Sequence, residues 1–358
     1  MRRELISDKQ GIAIVALFLS GSTSVFVTGL EAEKDVWLAI ILAMVMVLPM
    51  ITIFARLHHI YPDENIFDIM EKCLGKYIGK IVMIVFTWYS FFWAADVLNN
   101  YGFFMKEVSL VETPTIVTII MLAMLCIFCL KKGIEVLGRW SEFFIIISII
   151  SILISIVLIS PKMNMNNIKP VMVKGIKPVL KGSISVFMQP FVQISAFTMV
   201  FSSFKTKKSS YRVYFIGLFI GGLLTLLIAV TNILVIGPKE ALRTYYPSYV
   251  AVSRMNIGDF LQRLEVIIAM VFVLGGFVKI SILILSTIKG LVKLLGLKDY
   301  RFIITPIILL IINLSYFQYD NVMHYFRFNS YIWSCYFFPF QIVLPVIIWI
   351  AAEIKELR

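Results

Sequence analysis

Residues 36–55 read VWLAIILAMVMVLPMITIFA, twenty residues without one charged side chain. A helix needs about 20 mainly apolar residues to cross the hydrocarbon of a bilayer, so this stretch by itself reads as a membrane span. Residues 143–161 and 213–238 are also free of charge. The rest of the chain follows the same rule. Of its 358 residues, 60% are hydrophobic and 15% charged, against roughly 25% charged in a soluble domain. Working outward from residues 36–55, spans are expected at about 11–30, 36–57, 81–105, 114–130, 140–160, 183–203, 211–236, 264–288, 302–318 and 331–352. Spans four and nine are short. The reading is an all-α polytopic membrane protein, one integral-membrane domain over 1–358, with about ten transmembrane helices. The apolar runs lack the period-two alternation of a β-barrel, and an open sheet would leave unsatisfied edges in lipid. The first run follows a charged tail and is too long for the apolar region of a signal peptide, so it is expected to remain in the mature chain.

The formal net charge of +12 does not point to nucleic acid, because the cations sit in short loops between apolar runs. Cytoplasmic loops of membrane proteins are rich in Lys and Arg. With the N-terminus inside, the inner segments hold the larger share, including Arg2, Arg3 and Lys9, then Lys205, Lys207, Lys208 and Arg212. Both termini are therefore expected on the cytoplasmic side. One segment opposes the rule: residues 161–181 carry five lysines and no acid, yet fall outside. Such a loop either docks on an anionic partner or is simply solvated. It and the loop 237–263 are the expected places for short surface helices.

Ten spans divide as five plus five, at about 10–160 and 182–352, and an odd number per half inverts the second half. That is the arithmetic of inverted-repeat transporters of the LeuT/APC type. The leading helix of each half carries a mid-membrane interruption: Gly21, Ser22, Thr23 and Ser24 in span one, and Gln189, Pro190, Phe191, Val192 and Gln193 in span six. Proline removes a donor and frees the carbonyl four residues back. Matched broken helices point to a midplane binding site. The alternative is that Gly and Ser only permit close helix packing and that Pro190 only kinks its helix.

An ionisable residue inside a span costs about 2.5–3.5 kcal/mol on insertion scales and needs a reason. Asp96 in span three and Lys279 in span eight are two such residues. Tyr89, Trp93, Asp96 and Asn100 share one helix face, as do Lys279, Leu283 and Ser286 beside Gly275 and Gly276. In inverted-repeat transporters span eight packs on broken span one, commonly with a sodium ion between them. Lys279 is expected to replace that ion as a fixed charge, the alternatives being a structural pair with Asp96 or snorkelling to an interface. A small zwitterion suits such a centre. Backbone N–H groups at the broken helix would hold its carboxylate, carbonyls and side-chain oxygens its ammonium, and Phe191, Trp93 and Tyr89 the apolar wall. Cys126 and Cys129 lie inside an apolar helix and read as fillers. His58, His59 and His324 make no metal pattern with them. No cofactor, metal centre or enzymatic motif is expected.

Several short motifs resemble the B-subunit family of spore germination receptors, a branch of the amino acid–polyamine–organocation permeases. They are Asp35-Val36-Trp37-Leu38, Tyr61-Pro62-Asp63-Glu64-Asn65-Ile66-Phe67-Asp68-Ile69, Leu74-Gly75-Lys76-Tyr77-Ile78-Gly79-Lys80, Glu112-Thr113-Pro114, Gly133-Ile134-Glu135-Val136-Leu137-Gly138-Arg139, Tyr246-Pro247-Ser248 and Gln262-Arg263-Leu264-Glu265. Val111 stands where the family pattern has a proline. Physically these are boundary devices: Pro62 and Pro114 restrict the residue before them, Gly75 and Gly79 are expected to permit tight turns, and Arg139 can pair with Glu135. The resemblance implies a ten-span permease-like fold in the inner membrane of a spore. It also implies assembly with an A subunit and a lipoprotein C subunit, and binding of a nutrient germinant, commonly an amino acid, with ion release as the signal. A proton-coupled amino acid transporter, and a scaffold with a vestigial pocket, are the competing readings.

Overall fold

The computed structural model describes residues 5–202, 204, 208–254 and 265–357. Arg2, Arg3, Lys205 and Lys207 of the inner cations, and Gln262, Arg263 and Leu264 of the last outer motif, lie outside the described residues. Among the described residues there is no β-sheet, only a parallel bridge between Ile6 and Phe204.

The helices run in the expected order. They are α1 (Asp8–Thr23), α2 (Val36–Met46), α3 (Leu48–Ile60), α4 (Ile66–Leu74), α5 (Lys76–Phe104), α6 (Thr115–Lys132), α7 (Ile134–Ile159), α8 (Ile176–Met188) and α9 (Ala196–Val200). There follow α10 (Ser209–Ile236), α11 (Pro238–Ala241), α12 (Pro247–Ser253), α13 (Glu265–Leu295), α14 (Ile304–Phe317), α15 (Val322–Tyr331), α16 (Trp333–Phe338) and α17 (Leu344–Glu356). Eight helical stretches among the described residues are long and apolar enough to cross a membrane. Spans one and nine of the sequence reading, α1 with 16 residues and α14 with 14, are shorter than that.

Local chemistry sets the boundaries. Ser7 and Gln10 form a reciprocal cap that starts α1, satisfying backbone donors that otherwise have no partner. Asn65 and Asp68 do the same for α4. Gly75, with φ of 81°, ends α4 in a conformation that strains a residue with a Cβ. Gly79 departs from its expected turn role. It lies inside α5, where an added Cβ would stand 2.9 Å from the Met70 carbonyl oxygen, so its use is close approach of α4. Pro114 caps α6, and α3 stops before Pro62. Arg139 and Glu135 meet at 3.9 Å near the start of α7, both exposed.

The two long loops, 161–181 and 237–263, hold short helices where described, as expected: 3₁₀ turns at Ser160–Lys162 and Met165–Asn167, then α11 and α12. The lysine-rich segment is fastened to the link between spans one and two. Lys34 donates to the carbonyls of Asn166 and Lys169, Lys174 pairs with Glu33 at 2.6 Å, and both Asp35 oxygens accept from the Met172 N–H.

The centre is built on α1 and α13. Helix α1 packs on α10, α13 and α7, and α13 on α5. A Cβ on Gly275 would fall 2.2 Å from the Gly21 Cα, so the two backbones touch at this point. Lipid tails give no hydrophobic drive for helix association, and small residues that let backbones approach supply van der Waals contact instead.

Candidate functional site

Both interruptions are present. Helix α1 ends at Thr23, and the chain runs without helix from Val25 to Thr28 before a 3₁₀ turn at Leu30–Asp35. Helix α8 ends at Met188, the Gln189–Pro190 bond is cis, and the chain resumes as a 3₁₀ turn at Phe191–Ser195 followed by α9. Between these ends lies a cavity of about 480 Å³. Ser22, Thr23, Trp93, Asp96, Gln189, Pro190, Gln193 and Lys279 line it.

Lys279, on the buried face of α13, ties the two interruptions together. Its ammonium donates to Ser22 Oγ at 2.8 Å and to Gln193 Oε1 at 2.6 Å. It also stands 4.9 Å from the centre of the Phe18 ring and 5.7 Å from that of Trp93, a distance at which aromatic faces attract cations. One helix thus bonds the end of α1 and the turn after α8. Lys279 is buried, which leaves no room for snorkelling. It forms no ion pair with Asp96 within 4.0 Å among the described residues. Asp96 instead accepts a hydrogen bond from the Tyr319 hydroxyl at 2.7 Å.

The remaining residues of the expected site do other work. Gly21 is the backbone contact with Gly275. Ser24 Oγ donates to the Gly21 carbonyl at 2.7 Å, and Thr23 donates to the carbonyls of Leu19 and Ser20. Phe191 is fully buried and does not line the cavity. Tyr89 likewise lies outside it, its hydroxyl accepting from Gln341 at 3.0 Å and its ring stacked on Phe340 at 4.7 Å.

Several cavity residues were not anticipated. Asn100 was grouped with Asp96 on one face but not assigned to the site. Tyr325 and Asn329 come from α15, and Gln189 donates to Asn329 Oδ1 at 3.2 Å. Trp333 is the first residue of α16. Arg243, Thr244 and Tyr245 reach the cavity from the loop between α11 and α12. Asn321 starts α15, its side chain accepting from the His324 N–H.

The loop between α11 and α12 lines the cavity, and a row of aromatic rings runs from Phe18, beside Lys279, to His58. Phe18 meets Phe197 at 4.9 Å, Phe197 meets Phe201 at 5.0 Å, and Phe201 packs on Tyr214. Tyr214 stacks on His58 and shares a 3.1 Å hydrogen bond with it. All five rings are buried. Among the described residues no cluster of His, Cys, Asp or Glu could hold a metal ion.

Residues 5–322 match the profile of the spore permease family, described as spore germination protein. The chain is 27% identical to spore germination protein KB of Bacillus subtilis (strain 168), over 100% of this chain and 97% of that protein. It is 21% identical to spore germination protein XB of Bacillus anthracis, over 96% and 98% of the two. Among solved structures it resembles Mhp1, a nucleobase-cation-symport-1 family transporter, in a closed conformation with bromovinylhydantoin bound. The TM-score is 0.66 at 11% identity, covering 90% of this chain and 74% of that one. This likeness, with helices one and six broken, shows the LeuT/APC-type fold.

Proposed function

The chain belongs to the spore germination protein family, and from that premise we propose that it is the germinant-binding membrane subunit of a spore germination receptor. Its ligand is a small nutrient, an amino acid, held in the cavity between the interruptions of spans one and six. The observation that carries this reading is the cavity itself. Its volume lies within the range of about 300–1,000 Å³ typical of small-molecule sites, and two intramembrane ionisable residues line it. Such residues in a span are functional candidates by default. Lys279 takes the place of a coupling cation: it supplies a fixed positive charge between α1 and the turn after α8, so binding needs no sodium.

In this reading the halves 10–160 and 182–352 are an inverted pair, and ligand acts by binding one arrangement of the broken helices more tightly than the other. The subunit sits in the inner spore membrane with both termini on the core side. It assembles with an A subunit and a lipoprotein C subunit, and ion release follows from the complex. The second reading, a proton-coupled amino acid transporter, is favoured by the transporter fold and by the presence of two intramembrane ionisable groups, Asp96 and Lys279, in one cavity.

Purified chain in liposomes separates the two. Saturable, sodium-independent binding of labelled amino acids without accumulation is expected, weakened in Lys279→Ala and Pro190→Ala. Concentrative uptake driven by a proton gradient would replace the receptor reading with the transporter.

A further inference from the structure

The expected poles for a zwitterion were the backbone groups of the broken helices, and the structure has already spent one of them. At the end of α1 the carbonyls of Leu19, Ser20 and Gly21 accept from the hydroxyls of Thr23 and Ser24. The second half of span six is a 3₁₀ turn and a five-residue helix, too short to build a sizeable helix dipole. The capacity that remains is in side chains, and it is divided by sign.

On α5, Asp96 and Asn100 lie one turn apart on the face that lines the cavity. Asp96 receives a hydrogen bond from Tyr319 and also interacts with the Asn329 side chain, and a carboxylate has about four acceptor positions. The side-chain oxygen of Asn100 is buried and has no partner. Both are acceptors. Lys279 spends two of its three N–H groups on Ser22 and Gln193, leaving one. The indole N–H of Trp333, a second cavity residue, is buried without a partner. These are donors. Asp96 and Lys279, the two intramembrane charged groups of the cavity, form no ion pair with each other within 4.0 Å, and a buried charge is costly unless it is paired.

We infer that the ligand's ammonium sits on Asp96 and Asn100 and its carboxylate on Lys279, which makes the ligand a free amino acid with both main-chain charges intact. This rests on the cavity being the ligand site and assigns its two ends. A ligand of that kind bridges the gap between the two charges and neutralises both. An amine without a carboxylate, or an acid without an amine, neutralises one and leaves the other exposed to a dry wall. The Phe326, Trp93 and Trp333 rings are left for the ligand's side chain.

The test uses full-length protein in lipid nanodiscs. The twenty proteinogenic amino acids are screened one by one by calorimetry. The tightest is then compared with its N-acetyl derivative, which lacks the ammonium, and its primary amide, which lacks the carboxylate. A hydrogen bond to a charged group contributes about 1.5–3 kcal/mol, so wild type is expected to bind each derivative about ten- to a hundredfold more weakly. Asp96→Asn is expected to weaken the free amino acid by a similar factor while leaving the N-acetyl derivative unchanged. Lys279→Met is expected to weaken the free amino acid while leaving the amide unchanged. Asn100→Leu, which removes a neutral acceptor, is expected to act as Asp96→Asn does with a smaller factor, and serves if the aspartate variant does not fold. The assignment is overturned if these variants weaken the derivatives as much as the parent, or if the pairing of variant and derivative is reversed. Wild type that binds no amino acid removes the proposed function as well. Variants that bind all three ligands like wild type remove the assignment alone.

Discussion

The two interrupted helices look alike in sequence and are built differently. At the end of α1 the small polar residues mostly turn inward on their own backbone. Ser20, Thr23 and Ser24 donate to carbonyls three or four residues back, and Gly21 gives its missing side chain to the contact with Gly275. Ser22 reaches across to Lys279, and the Thr23 hydroxyl also shares a 2.9 Å hydrogen bond with Thr225 of α10. At the interruption after α8 the polar residues turn outward. Gln193 holds Lys279 and Gln189 holds Asn329. A hydroxyl on a short stem can satisfy its own helix, whereas an amide on a longer stem reaches a neighbour. The first interruption is thus mainly a packing and capping device, and the second a cross-link between elements.

The sharpest way to break this contrast is at the backbone contact. Gly275→Ala places a Cβ 2.2 Å from the Gly21 Cα, and overpacking costs about 1–3 kcal/mol and occasionally more. It is expected to lower the melting temperature clearly below that of wild type. Gly276→Ala, where nothing lies within 4 Å, is expected to fall within about 0.5 kcal/mol of wild type. Thermal melting of the two variants in detergent compares them; equal behaviour removes the packing role of Gly21.

A smaller effect is expected at the cross-link. Gln193→Leu removes an acceptor from a buried ammonium and should destabilise by about 1.5–3 kcal/mol, with a clear loss of ligand affinity. Gln189→Leu loses a neutral bond to Asn329, at about 0.5–1.5 kcal/mol. Smallest of all is Ser24→Ala, also about 0.5–1.5 kcal/mol at most, with ligand affinity unchanged because its hydroxyl serves Gly21. A Ser24→Ala variant that loses ligand binding would return span one to the role of a direct ligand site.

The order of spans, the two interruptions and the two intramembrane charges were legible because each breaks a rule that lipid enforces. Charge-free runs near 20 residues must cross, Pro190 cannot continue a helix, and Asp96 and Lys279 need partners. The reading erred where local chemistry is silent about direction. Phe191 sits beside Pro190 yet turns into the core, and nothing in a 3₁₀ turn's sequence says which way it faces. Helix α8 begins at Ile176, earlier than its expected start at 183, because Lys177 and Lys181 lie on its exposed side. Helix α15 was hidden because Val322–Tyr331 mixes His, Arg and Asn among aromatic residues and reads as an outer loop. Its Tyr325 and Asn329 become cavity walls only through tertiary packing. Tyr319, the partner of Asp96, is 223 residues away in sequence.

The central claim is that one amino acid lies between Lys279 and Asp96 in the cavity joining the two interruptions. A cryo-electron microscopy map of the full-length protein in nanodiscs, with the tightest-binding amino acid at saturation, tests it most directly. The expected result is ligand density in that cavity, with one end at Lys279 and the other at Asp96 and Asn100. An empty cavity in a sample shown to be saturated, or density at any other place, would contradict it.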